Sequence, residues 1–78
     1  MAVKYLVVTE EHREGFGAYV PDLPGCVSVG ASAEKVLALI EEAIELHIQS
    51  MVNDGETVPP PSSRPALVEV HAPLVAIP

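Results

Sequence analysis

Apolar side chains fall on both faces of Val3-Lys4-Tyr5-Leu6-Val7-Val8-Thr9, with Val3, Tyr5 and Val7 on one and Leu6 and Val8 on the other. This β-branched and aromatic run predicts a first strand over 3–9. A strand apolar on both sides wants cover on both, which places it centrally in a sheet. Glu10-Glu11-His12-Arg13-Glu14-Gly15 is polar throughout and predicts a solvated hairpin connection. Alternation resumes in Phe16-Gly17-Ala18-Tyr19-Val20, the predicted second strand. A glycine at 17 weakens a strand unless the chain bulges there or an aromatic ring approaches closely, and Tyr5 and Tyr19 are candidates for a cross-strand pair.

The next ten residues, Pro21-Asp22-Leu23-Pro24-Gly25-Cys26-Val27-Ser28-Val29-Gly30, are the stretch on which the remaining elements hang. Each proline fixes its own φ and biases the residue before it towards extended geometry, so Pro21 and Pro24 predict a stiff corner. Cys26 to Val29 then alternates as a third strand that Gly30 ends. From Ala33 to about Asn53 the period changes from two to between three and four. Val36, Leu37, Ile40, Ala43, Ile44, His47, Ile48 and Met51 form one stripe, while Glu34, Glu41, Glu42, Glu45 and Gln49 take the other side. Ser32 is positioned as N-cap, with Glu34 in the first turn where the helix dipole favours an acid, and Gly55 suits the C-terminal stop. Residues 56–66 are a proline-rich strap, 67–71 a last strand, and 72–78 an apolar tail able to extend that strand or dock on another subunit.

Strand, strand, strand, helix, strand is an α+β order, βββαβ. A right-handed crossover from the helix brings the last strand parallel to the first and beside it. The expected sheet is mixed and four-stranded, order 3-2-1-4, with the helix on one face, which is the core arrangement of ribonuclease H-like folds. Nucleases of that fold gather acids on the sheet around two metal ions. Here the first strand carries no acid, Asp22 lies beyond the second, and four of the helix acids point to solvent, so neither a catalytic nor a metal site is expected. His12, His47, His71 and Cys26 show no metal-ligand spacing. No cofactor is implied.

The 78 residues fit one domain, 1–78, and a domain this small gains stability by association, so a homodimer or homotetramer is expected. A single cysteine allows no internal disulfide and suits the cytoplasm. No apolar run is long enough to span a membrane. Four Lys and Arg against eleven Asp and Glu give a net charge of −7, which argues against direct nucleic-acid binding and suits a basic protein partner.

Tyr5-Leu6-Val7-Val8, Ala18-Tyr19-Val20-Pro21-Asp22-Leu23-Pro24-Gly25-Cys26, Gly30-Ala31-Ser32 and Glu56 to Pro61 resemble the N-terminal domain of HicB-type antitoxins. The resemblance covers about residues 3–63, and its specific part is the Pro-Asp-Leu-Pro-Gly-Cys string. It implies a degenerate ribonuclease H-like domain that binds and occludes HicA, a small mRNA-cleaving ribonuclease toxin with a double-stranded-RNA-binding-like fold and an active-site histidine. Asp22, Leu23 and Pro24 are the expected partner-binding residues. Longer relatives carry a C-terminal DNA-binding domain, and none is expected here. The alternative is a stand-alone homo-oligomeric HicB-like module without toxin or catalysis, and a nuclease is the outsider.

Overall fold

The computed structural model describes residues 2–73. Three antiparallel strands, β1 (Val8–His12), β2 (Gly15–Tyr19) and β3 (Val27–Gly30), form a sheet in the order β1-β2-β3, followed by one helix, α1 (Ala33–Asn53). The two hairpins and the helix therefore arise in the order expected. The helix lies over β2 and β3.

The first strand is displaced from its predicted place. A tight turn at Arg13–Glu14 sets Gly15 opposite His12, and pairing runs back from there to Val8 opposite Tyr19. Continuing the register would set Leu6 against Pro21, which has no N–H to give and opens the corner. Val3 to Val7 consequently has no ladder partner on β2 despite its strand propensity, while the polar Glu10-Glu11-His12 segment becomes strand because the turn dictates it. Tyr5 lies outside the sheet, so the expected Tyr5–Tyr19 cross-strand pair does not form. Gly17 faces the His12 ring instead: a Cβ there would lie 3.4 Å from Nε2.

The expected fourth strand, Leu67–His71, is paired with nothing among the described residues, and β1 is an edge rather than central. A strand needs an adjacent edge to satisfy its backbone groups. The chain from Arg64 to Pro73 runs fully exposed, so the described sheet is 3-2-1 without its fourth member. The predicted tail lies partly outside the described residues, from 74 onward.

The helix keeps its predicted limits because both ends are capped. Ser32 sits in extended geometry and its Oγ accepts from the Lys35 amide at 3.1 Å. At the other end Gly55 takes φ +73°, its amide donates to Val52 O at 3.1 Å and that of Glu56 to Met51 O at 2.9 Å. That paired closure is a Schellman motif, and it requires the left-handed residue that glycine supplies. Val36 and Ile40 are buried, with Ala43, Ile44 and Ile48 packed beside them against Ala18, Val20, Leu23 and Cys26. His47 is half-buried at the stripe's edge. Leu37, by contrast, is exposed.

A fastened corner and the candidate interaction surface

The corner between β2 and β3 closes on itself through three backbone bonds. Val20 N–H donates to Cys26 O at 3.2 Å, Leu23 N–H to Val20 O at 3.1 Å, and Cys26 N–H to Leu23 O at 3.0 Å. These bonds roll Leu23 and Cys26 inward, where Leu23 is 0% exposed. Leu23 therefore supports the corner from beneath and offers no side chain to a partner. Pro24 is exposed on the same turn, above a shallow cavity of about 470 Å³ that Leu23, His47, Met51 and Pro59 help to line. Burial raises the Cys26 thiol pKa, which keeps it protonated and unreactive.

Asp22 fastens the strap to the corner. Its Oδ2 accepts from the Ser62 and Ser63 amides, both at 2.9 Å, and its Oδ1 from their hydroxyls at 3.1 and 2.8 Å. Farther back, Tyr5 Oη donates to Pro59 O at 2.6 Å. The two ties seat residues 58–63 across the end of the sheet. Donation from Ser63, first its amide and then its hydroxyl, holds the Asp22 carboxyl below its ordinary pKa, with Ser62 adding in the same direction. A depressed folded-state pKa means the anchoring is fully present above the unfolded value of about 3.9 and is lost as pH falls through the lower folded value. The Ser62 and Ser63 amide resonances should thus hold steady at pH 5 and move together only below about pH 4. In Asp22→Asn, whose amide group would face donors with a donor, that transition should vanish and the strap should be loose throughout; a transition persisting in the variant would show another group controls the strap.

Strand alternation sorts the remaining surface. Facing pairs put Val8, Tyr19 and Val27 in one row and Glu10, Gly17 and Val29 in the next, on the side away from the helix. Tyr19 and Val27 are exposed and Val29 is 78% exposed, giving an apolar strip next to acidic Glu10, with Glu11 and Glu14 nearby in β1 and its turn. Sequence alternation alone could have found this strip, because Val27 and Val29 share a face, but without the register it could not say that Tyr19 joins them. On the helix side, Val3, Tyr5 and Val7 border a groove of about 660 Å³ whose other wall is α1. Among the described residues no three His, Cys, Asp or Glu side chains converge as metal ligands, and no helix is long and apolar enough to cross a membrane.

Residues 5–72 match the sequence profile described as HicB_like antitoxin of bacterial toxin-antitoxin system. The chain belongs to the HicB-like antitoxin family. That family is one of antitoxins rather than enzymes. A UPF0150 protein of Helicobacter pylori is 47% identical over 47 residues, covering 60% of this HicB-like chain and 65% of its own. An uncharacterised 14.9 kDa protein from the rep-hol intergenic region of Haemophilus phage HP1 is 36% identical over 55 residues, 70% of this chain and 41% of its own. This HicB-like chain therefore spans less than two thirds of either relative. Among solved structures, the HicA3 and HicB3 toxin-antitoxin complex contains a chain with TM-score 0.66 and 33% identity, covering 76% of this chain and 70% of that one.

Proposed function

We propose that this HicB-like chain is the antitoxin of a type II toxin-antitoxin system, binding a small basic HicA-like ribonuclease and blocking it by occlusion. The observation that carries the reading is the match to the HicB-like antitoxin family together with the likeness, in sequence and in fold, to a chain of the HicA3 and HicB3 toxin-antitoxin complex. Two features of the surface support it. The outer sheet face presents Tyr19, Val27 and Val29 uncovered, an apolar centre of the kind that interfaces bury. The chain as a whole is acidic, with a net charge of −7, and Glu10 stands beside the strip, which favours encounter with a basic protein. Asp22 and Pro24 belong to the fastened corner that joins β2 to β3, with Leu23 holding the turn in shape.

The reading extends to a ribonuclease H-like sheet in which Leu67–His71 is the fourth strand beside the first, and to a chain that self-associates as a homodimer or homotetramer in the cytoplasm without contacting nucleic acid directly. Supporting this are the free β1 edge and the exposed apolar residues of the 67–71 segment.

The test is recovery of the tagged chain from its own cells at low and then high salt, followed by titration of the bound ribonuclease. Stoichiometric loss of RNA cleavage as the chain is added back is expected. Recovery of the chain alone, as a fixed multiple of its own mass, would replace the antitoxin reading with that of a homo-oligomeric module.

A further inference from the structure

Two exposed features of this chain are complementary. The first is the groove between the N-terminal segment and α1. Val3, Tyr5 and Val7 line it from one side and Leu37, Ile44 and Ile48 from the other, while Lys4 and Leu6 do not line it. Every second residue entering the groove means that Val3–Val7 runs extended with Lys4 and Leu6 on its opposite face. The helix covers β2 and β3, leaving no element on the far side of this segment among the described residues. The second feature is Leu67-Val68-Glu69-Val70. Among the described residues it carries three of the most exposed apolar side chains, Leu67 at 104%, Val68 at 78% and Val70 at 70%, and is bonded to no strand.

We propose that Leu67–Val70 of a second copy adds as a strand along the free edge formed by the N-terminal segment and β1, with Val68 and Val70 entering the groove, and that the exchange is reciprocal. Alternation supplies the match on both faces. Val68 and Val70 point one way, towards a mainly apolar wall that Glu41, Glu45 and Gln49 also line; Leu67 and Glu69 point the other, towards the face carrying Leu6 and Lys4. Apolar meets apolar on each face and the acid meets a cation, Lys4 being one of only four Lys and Arg in the chain. The strap directs the segment outward. Its stem is fastened at Ser62 and Ser63 to Asp22, and Pro65 follows at once, so the segment leaves the domain on a stiff mount rather than a slack loop. A groove and its occupant on the same polypeptide give a self-complementary, closed two-fold pair. The new ladder would also remove the open β1 edge, an aggregation hazard in a free chain.

This inference rests on the self-association and fourth strand of the proposed function, and stands apart from toxin neutralisation. Its test is isotope-filtered nuclear Overhauser spectroscopy on the full chain, labelled and unlabelled copies mixed, alongside sedimentation equilibrium. A dimer at micromolar concentration is expected, with contacts between Val68 or Val70 of one copy and Val3–Val7 of the other. Val68→Pro, which removes a ladder donor, and Val70→Asp, which puts a charge into the groove, should each raise the dimer dissociation constant about tenfold or more, with the far-UV circular dichroism of the sheet and helix unchanged. A dimer that lacks these contacts, or is indifferent to both variants, overturns the exchange while leaving self-association standing. A monomer, including one whose own segment returns to its own groove, overturns both; a groove occupied by the toxin in place of the segment overturns the exchange alone.

Discussion

Leu23→Ala is expected to destabilise the protein by about 2–5 kcal/mol, measured as the shift in urea-unfolding free energy at constant m. Leu23 is 0% exposed and, with Ile40 and Val36, is among the largest fully buried side chains. It packs in one cluster with Val20, Cys26, Val36 and Ile40, so its loss leaves a cavity where corner, sheet and helix meet. A chain of 78 residues has roughly 4–12 kcal/mol of stability in total, at about 0.05–0.15 kcal/mol per residue. One truncation therefore removes a large share. The volume-conserving Leu23→Met should cost less than about 1.5 kcal/mol. If the two variants lose equal stability, Leu23 does not act by filling space and the corner is held some other way.

Gly15→Ala is the second large effect. Gly15 begins β2 with φ +149°, a region that side chains rarely enter, and a Cβ there would lie 2.7 Å from the Gly30 carbonyl oxygen. The obstacle is backbone on the neighbouring strand and cannot swing aside. Backbone strain alone is on the order of 1–3 kcal/mol, and the displaced β2–β3 ladder adds to it. Gly17→Ala is the internal control. Its Cβ would make ordinary contact with the His12 ring at 3.4 Å, and reduced freedom in the unfolded chain should leave it neutral or more stable by about 0.4–1 kcal/mol. Thermal melts showing both variants equally destabilised would refute this account of the turn.

The helix was legible to the residue because its signals are local: a serine cap, a helical apolar stripe and a glycine stop. The third strand and the corner were legible for a related reason, since proline restricts geometry wherever it stands. The first strand was misplaced because propensity favours Val3–Val8 whereas position is decided by pairing, and pairing is counted from the Arg13–Glu14 turn and halted by Pro21. The fourth strand was read from the apolar content of Leu67–Val70, but a ladder is a property of two segments and the described chain supplies no neighbour for this one. At the corner, the residue types pointed to a rigid surface. They could not reveal that Asp22 is committed to serines forty residues away, nor that Leu23 turns inward, because both depend on contacts distant in sequence.

The nearest-neighbour pattern of the sheet also bears on how the chain acquires its shape. Among the described residues every strand pairing joins segments consecutive in sequence, and the helix follows directly on β3. Among the described residues the long-range side-chain hydrogen bonds are those of the strap, from Tyr5 to Pro59 and from Ser62 and Ser63 to Asp22. Loop-closure entropy must be met before distant contacts return anything, so low-contact-order units form first. On an emerging polypeptide the meander can therefore assemble while the helix is still being synthesised, and the strap closes over it last. The newly made chain thus spends its earliest folded moments with the Asp22 corner open.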